Sequence, residues 1–457
     1  MLKLYNNRGE IVAIIYENDT ISAQATPFGT GAVAIIRLSG EKSFEIVQKF
    51  FSKKIEPGKI LFGKIVDNGV FIDEVIVLAF EAPHGYTGEN SVEIQCHGGI
   101  HVTNKIKELT FKYGARPAER GEFTKRAFLN GKMDLSEAEA VADLIHAKTS
   151  KFAVKSAQNL CGKLSVETGK IYDDLFAIMS AIVAATDFPE DVAEPDRDDV
   201  SAKISTAVAK IKSLLKVSKG SDILRQGVKA ALIGRPNVGK SSLFNALLNF
   251  ERAIVTDTAG TTRDTIRETL DIEGIPVTFI DTAGLRAKSD ADKIESIGMD
   301  FSEKAAEEAD IILFLFDSAA GMTDDDRKIF EMVENLNKPV LKIASKSDIA
   351  TKSYENCLNV STFDQNSVEN LKNAIKQAVC TDLDEETEYI TNERQQHCLE
   401  KALTACNNAL EGIRMQMPFD LVGIDLKSAL LELGDIKGEL VTDDILNNIF
   451  DHFCIGK

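Results

Sequence analysis

The segment Gly234-Arg-Pro-Asn-Val-Gly-Lys-Ser241 fits G-x-x-x-x-G-K-[ST] without a gap, a spacing suited to cradling a chain of phosphates. Glycines let the backbone wrap the oxygens, and successive N–H groups with a helix N-terminus supply positive potential. Lys240 would reach the β/γ-phosphates and Ser241 would ligate Mg²⁺. The apolar run Val228 to Ile233 before the motif and Ser242-Leu-Phe-Asn-Ala-Leu-Leu248 after it predict a strand, a loop and a helix. That context gives the motif its meaning. Asn237, Val238, Gly239 and Ser242 complete the loop residues expected against nucleotide.

Further motifs follow in the order that a small GTP-binding domain requires. A polar segment, Thr256-Asp-Thr-Ala-Gly-Thr-Thr262, is expected to close over the γ-phosphate, with Asp257, Thr258, Ala259, Gly260 and Thr261 lining it. The strand Val277-Thr-Phe-Ile280 ends in Asp281-Thr-Ala-Gly284. Asp281 would hold Mg²⁺ through water and the Gly284 N–H would meet the γ-phosphate, with Thr282 and Ala283 between them. Two more apolar strands, Ile311–Phe316 and Pro339–Ala344, lead to Ser345-Lys-Ser-Asp348. Asp348 is placed to accept from the guanine N1–H and 2-amino group, and the Lys346 stem to lie along the base. GTP is therefore the expected nucleotide. Ser345 stands where Asn is usual, so one amide contact to the base or loop is expected to be lost. Ser361-Thr362 would form the last guanine-contacting turn.

No glutamine is available to orient the attacking water, because Leu285 occupies the place after Gly284. Arg263 and Arg286 are either charge-stabilising fingers or solvated switch-loop charges. The amide oxygen of Asn237 offers a third solution, ligation of a monovalent cation in a finger's electrostatic role.

At 457 residues the chain is too long for one such domain and suggests about three. A signal peptide and a long apolar run are both lacking, and the seven scattered cysteines form no C-x-x-C pair. Reduced thiols, a cytoplasmic location and no membrane are expected. His97-Gly-Gly-Ile-His101 has no thiol or acidic cluster beside it in sequence, so no metal is expected there. The net charge of −18 argues against a bulk electrostatic grip on nucleic acid. Between His101 and Lys132, however, eight Lys/Arg face three Glu, leaving either a basic face or a solvated one.

The expected fold is multidomain. Residues 1–131 alternate short β-rich runs with turns and read as an α+β domain. From Ser136 the pattern turns helical, with Ser136-Glu-Ala-Glu139 as a capping box. An all-α helical domain is expected from two segments, 132–224 and 381–457, with an α/β P-loop GTPase domain inserted at 225–380. The tail Phe453-Cys-Ile-Gly-Lys457 reads as a frayed terminus.

Together these strings resemble the MnmE (TrmE) family of tRNA modification GTPases, within the TrmE-Era-EngA-like GTPases. The resemblance runs from about Asp19 to Lys457. It is carried by Ala23-Gln-Ala-Thr-Pro27, Thr87-Gly-Glu89 through His97-Gly-Gly99, Gly121-Glu-Phe-Thr-Lys-Arg-Ala-Phe-Leu-Asn130, Asp134-Leu-Ser-Glu-Ala-Glu-Ala140, the GTPase motifs and the Cys-Ile-Gly-Lys tail. It implies a folate-binding, homodimerising N-terminal domain, and a hetero-oligomer with an MnmG-type flavoprotein that uses FAD and NADH. The implied reaction adds an aminomethyl or carboxymethylaminomethyl group at C5 of the wobble uridine of certain tRNAs. One carbon would come from 5-formyl- or methylene-tetrahydrofolate.

By position, the resemblance implies folate contacts at Arg37, Glu93, Lys132 and Lys457, where surface charges and a strand salt bridge are the plainer alternatives. It implies G domains that dimerise across K⁺ held by Asn237, Thr256, Thr258 and Thr261, with Thr262 on Mg²⁺. Glu295 would orient the water, in an alignment needing one extra residue between Arg286 and Ile294. Cys454 matches the family's tail cysteine, with no role assigned. A ribosome-assembly GTPase and a pure dimerisation switch are the rival readings.

Overall fold

Alternation of apolar and polar positions gives the first part of the chain its sheet, because successive strand side chains point to opposite faces. The computed structural model describes residues 2–5, 11–15, 19–250, 268–280, 304–350, 354–379, 391–439 and 441–457. They fall into two compact units, one of residues 1–142 with 437–457 and one of residues 143–436.

In the first unit, β1 (Leu2–Tyr5) and β2 (Ile11–Ile15) form a separate antiparallel pair. Then come β3 (Ile21–Gln24), β4 (Val33–Ser39), β5 (Ile60–Asp67), β6 (Val70–Phe80), β7 (Ser91–His97) and the short β8 (Arg116–Pro117). Their order is β5-β6-β7-β4-β3-β8. All neighbours are antiparallel except β3 and β8. One face buries Ile36, Leu38, Val75, Val77 and Ile94 with Ile106 and Leu109 of helix Ile100–Lys112. The opposite face of β4 and β7 carries Arg37 and Glu93, directly across from each other in register.

The capping box expected at Ser136 lies two residues earlier. Helix Leu135–Ile145 is capped by Asp134, whose Oδ1 accepts from Glu137 N while its own N–H donates to Glu137 Oε2, both at 2.9 Å. A carboxylate takes the third N–H of the helix as readily as a hydroxyl does, and Ser136 is buried inside the first turn.

In the second unit, helices Lys163–Asp187 and Arg197–Gln226 precede a sheet, and Glu393–Arg414 and Phe419–Lys437 follow it. Ile178, Ile204, Ile211, Leu399, Cys406, Leu426 and Leu433 from all four share one apolar core. The sheet has β9 (Val228–Ile233), β10 (Glu268–Ile272), β11 (Ile275–Ile280), β12 (Ile311–Asp317), β13 (Val340–Ser345) and β14 (Leu358–Val360). Its order is β10-β11-β9-β12-β13-β14, parallel except for β10. The central strand β12 is buried from Ile311 to Phe316, as a strand covered on both faces must be. Phe244, Phe279 and Leu371 fill one side, and Ile233, Ile312 and Val333 the other.

Phe152 of helix Ser150–Leu160 and Leu224 also enter the first of these clusters. Thr149 Oγ1 donates to Gly274 O (3.1 Å) at the tip of the β10–β11 hairpin. Gly274, at φ +85°, packs so closely on Lys151 that a Cβ there would lie 2.7 Å from its Cδ. Among the described residues no helix is long and apolar enough to cross a membrane.

Phe152 is 2% exposed, so Phe152→Ala is expected to destabilise the chain by about 3 kcal/mol through lost burial and a cavity. A shift of the urea midpoint measures this. An unchanged midpoint would mean that the helix does not depend on the sheet.

Candidate functional site

Strand β9 delivers the chain into a loop that helix Lys240–Phe250 continues. Gly234 has φ +155° and a Cβ there would sit 2.2 Å from Leu315 O, so only glycine passes this close to β12. Asn237 (φ +65°) and Gly239 (φ +102°) are both left-handed, a conformation that Asn tolerates better than most residues. Val238 is buried, whereas the side chain of Asn237 is exposed. Lys240 bends back over the loop, its Nζ donating to Gly234 O (2.5 Å) and Arg235 O (2.9 Å). Burial lowers the pKa of this ammonium. Ser241 is half-buried and Ser242 exposed in the first turn. A helix N-terminus beside a lysine bonded only to carbonyls fits a phosphate group, which would bring the missing countercharge.

The guanine motif closes on this loop. Ser345, at the end of β13, is buried, and its Oγ reaches both Val238 O and Phe316 O. A short hydroxyl thus still reaches the loop, because the backbones come this near. Lys346 has φ +57° and its Nζ bonds Asp317 Oδ2 at 2.6 Å. Burial pushes the Asp317 carboxyl up, but Lys346 and backbone N–H groups outweigh it and hold it below its usual value. Asp348 is exposed in the turn that follows, anchored by Ser347 N–H donating to Val360 O (3.2 Å). Ser361 is buried, with its N–H on Ser367 Oγ (3.0 Å).

One loop partner escapes sequence reading. Arg235 Nε donates to Asp326 Oδ1 (2.7 Å), and Asp326 is fully buried as the third residue of a capping box with Thr323. The box pattern itself could have flagged Asp326. Thr256, Asp257, Thr258, Ala259, Gly260, Thr261, Thr262, Asp281, Thr282, Ala283, Gly284 and Glu295 lie outside the described residues, as do Arg263 and Arg286.

The first unit gathers a second set of charges. Arg37 Nε donates to Glu93 Oε1 at 2.9 Å, and Nη2 lies 2.8 Å from the same oxygen. Its guanidinium lies over the rings of Tyr86 (5.2 Å) and Phe123 (5.7 Å). The C-terminal tail docks here instead of fraying. Gly456 O accepts from Arg37 Nη1 (3.3 Å), Phe123 N–H donates to Lys457 O (3.1 Å), and Ile455 bridges Arg120. Gly456, at φ +95°, leaves no room for a Cβ, which would lie 2.3 Å from Gln24 O. Burial, then the nearby Arg37, lower the Lys457 ammonium, while Glu93 and Cys454 oppose the shift. Cys454 itself is exposed. Lys132 reaches elsewhere, its Nζ donating to Pro83 O (3.1 Å).

In the stretch left open between a basic and a solvated face, Lys105, Lys112, Arg116 and Arg126 are paired with acids. Arg126 is 4% exposed in its side chain and pairs with Asp19 (2.7 Å), Glu89 (3.1 Å) and Glu122 (2.9 Å). Arg116 joins Asp19 and Glu122, and Lys105 and Lys112 share Asp67. Spacing could reveal only the local Glu122 pairs, because Asp19, Asp67 and Glu89 are far away in sequence. His97 Nδ1 likewise lies 2.6 Å from Asp73 Oδ1. Among the described residues no group of three or more His, Cys, Asp or Glu is placed to hold a metal.

A mostly parallel sheet, with a phosphate loop after one strand and a guanine-reading turn tied to it, defines a P-loop GTPase. The family model "GTP-binding protein TrmE N-terminus" matches residues 20–132 and "MnmE helical domain" matches residues 135–454. The chain is 40% identical to the tRNA modification GTPase MnmE of Streptococcus mutans over 456 residues, 97% of this chain and 100% of that one. The MnmE of Acetivibrio thermocellus is 40% identical with the same coverage, and that of Aquifex aeolicus 40% identical over 96% of this chain and all of its own. The chain belongs to the MnmE family of tRNA modification GTPases; it binds and hydrolyses GTP and has a role in tRNA modification.

Burial pushes the Glu122 carboxyl up, but Arg116, the Glu119 N–H and Arg126 hold it below its usual value, and the two arginines do the same for Asp19. Carboxylates depressed in the fold contribute stability above their unfolded pKa near about 4 and lose it as pH falls through the folded value. The thermal midpoint of the parent should therefore drop on acidification below about pH 4. Glu122→Gln, unfolding earlier at neutral pH, should show less of that drop. An identical acid profile for both proteins would remove Glu122 from the effect.

Proposed function

We propose that the chain hydrolyses GTP in the course of adding an aminomethyl or carboxymethylaminomethyl group at C5 of the wobble uridine of certain tRNAs. One carbon comes from 5-formyl- or methylene-tetrahydrofolate, and the partner is an MnmG-type flavoprotein carrying FAD and NADH. The chain works as a homodimer in a hetero-oligomer with that partner, in the cytoplasm.

The observation that carries the reading is the docked tail, which brings Lys457 within electrostatic reach of Arg37, Glu93 and Cys454 and sets Gly456 O on Arg37. Both Arg37 contacts fall on Glu93 Oε1. Oε2 can then accept from the amino and N–H groups of a pterin, while Arg37 and Lys457, and Lys132 on leaving Pro83 O, meet the carboxylates of a glutamate tail. The role of Cys454 stays unassigned. The resemblance and the order of motifs support residues 1–131 as the folate-binding domain and 225–380 as a GTPase domain inserted between helical segments 132–224 and 381–457. The shared core of the flanking helices supports that insertion.

In the GTPase domain, the loop N–H groups and Lys240 hold the β/γ-phosphates, and Ser241, Thr262 and water-linked Asp281 hold Mg²⁺. Asn237, Thr256, Thr258 and Thr261 hold K⁺ between two G domains. Asn237 fits that task, since its left-handed backbone and exposed side chain leave the amide oxygen accessible. When bound, these cations neutralise phosphate charge. Glu295 orients the water, and Asp348, Lys346 and the Ser361 turn read the guanine.

Deleting the gene should abolish the C5-aminomethyl-type wobble uridines in tRNA digests, and restoring it should return them, as read by nucleoside mass spectrometry. An unchanged profile would defeat the modification reading and leave the GTPase standing. Glu295→Ala should keep GTP affinity within about twofold while hydrolysis falls by about 100-fold or more, in the range of lost water-positioning groups. Exchange of K⁺ for Na⁺ should slow the parent as well. Parent-like rates in the variant would remove Glu295 from the mechanism, and equal rates in the two salts would remove K⁺.

A further inference from the structure

Lys240 and Asp326 both hold the entry limb of the phosphate loop, Gly234-Arg235. Lys240 Nζ donates to Gly234 O (2.5 Å) and Arg235 O (2.9 Å), so the lysine rests on the limb's own carbonyls. An anion laid on the loop would draw the ammonium to itself, and the limb would then lose these bonds. The bond to Asp326 does not depend on Lys240. Arg235 Nε donates to Asp326 Oδ1 (2.7 Å). Pro236 disfavours helical backbone at Arg235, so fixing this side chain also fixes the course of the limb. Asp326 divides its oxygens between two tasks. Oδ2 accepts from Thr323 N–H (3.0 Å) and Thr323 Oγ1 (2.7 Å), closing the cap of helix Asp324–Glu334, and Oδ1 is left for Arg235. That helix is a firm support, because its Val333 packs with Ile233 and Ile312. The Asp326 side chain is fully buried and that of Arg235 is 30% exposed, so water screens the pair little.

We infer that Asp326 is a positioning residue for phosphate binding, which acts through Arg235 to keep the entry limb in place when Lys240 turns from the loop's carbonyls to the nucleotide. The inference rests on the proposed role of the loop and Lys240 in holding phosphates. Arg235 serves as a strut in this arrangement and Asp326 as its footing. The cap made with Thr323 steadies the helix, whereas the bond to Arg235 steadies the loop. The two tasks fall on different oxygens and can be broken separately.

The test is calorimetric titration of the full chain with GTP and with inorganic tripolyphosphate, which has no base, and thermal midpoints measured in parallel. The variants are Arg235→Ala, Asp326→Asn, the two together, and Thr323→Ala. Arg235→Ala and Asp326→Asn should each weaken both ligands by about tenfold, which is about 1.4 kcal/mol, the scale of one hydrogen bond to a charged group. The double variant should lose no more than either single one, as the two ends of one contact do. Thr323→Ala breaks the cap but leaves Arg235 its carboxylate, so it should lower the thermal midpoint and keep the parent's affinities. Parental affinity in folded Arg235→Ala overturns the strut. Binding by folded Asp326→Asn as tight as the parent's or tighter overturns it too, because an arginine freed from its carboxylate is then itself the phosphate ligand. Additive losses in the double variant, or a loss in Thr323→Ala equal to that in Arg235→Ala, trace the effect to general damage and also overturn the inference. Parental affinity for both ligands in Lys240→Ala defeats the phosphate-loop reading instead.

Discussion

The nucleotide site depends on two backbones that meet with no room for a side chain. Gly234 turns out of β9 against Leu315 O, 2.2 Å from where a Cβ would be, and β9 and β12 are paired in parallel up to this point. Any larger residue would push the loop away from β12. The loop would then lose its place beside β13, because Ser345 bridges Val238 to Phe316, the residue after Leu315. The segments proposed to meet phosphate and base lie about a hundred residues apart, and this strand contact keeps both at the carboxyl ends of one sheet.

A different constraint organises the first unit. A guanidinium as buried as that of Arg126 is tolerated only when its charge is met, since an isolated buried ion is costly to desolvate. Asp19, Glu89 and Glu122 meet it from the start of β3, the loop before β7 and the helix Glu122–Leu129. Glu89 also accepts from Ser39 Oγ (2.7 Å) at the end of β4. The same helix supplies Phe123, whose ring lies under Arg37 and whose N–H holds the Lys457 carbonyl. Helix Glu122–Leu129 therefore contributes to both sites, Glu122 and Arg126 to the ion cluster and Phe123 to the tail site.

What could be read from the chain follows the range of the interactions. The phosphate loop and strands β9, β11, β12 and β13 were legible because motif and apolar period are local signals. The strands β10 and β14 were not, since Glu268–Ile272 and Leu358–Val360 are short and carry weak periodicity. The Arg37–Glu93 pairing needed the β4–β7 register, and the Arg126 cluster needed Asp19 and Glu89 from two distant segments beside Glu122 of its own helix. The docked tail was invisible for the same reason. Nothing in Cys454-Ile-Gly-Lys457 shows that Gly456 is wanted for a positive φ against Gln24, a contact across more than four hundred residues. The misplaced capping box was a local error, in which Ser136 was preferred over an equally good Asp134.

Two ammonium groups bring the units onto common ground. Lys240 and Lys457 are both lowered by burial, Lys240 against carbonyls alone and Lys457 beside the like charge of Arg37. In each case the fold has placed a cation where the charged form is disfavoured. An anion laid against either one reverses that, because it supplies the countercharge that burial withholds from water. An anionic ligand at Lys240 or at Lys457 would do this. Both lysines are therefore suited to ligands bearing negative charge, since the protein's own acids are mostly engaged elsewhere and Glu93 offsets only part of the lowering at Lys457. Asp317 is spent on Lys346, Asp326 on Arg235 and Glu93 on Arg37.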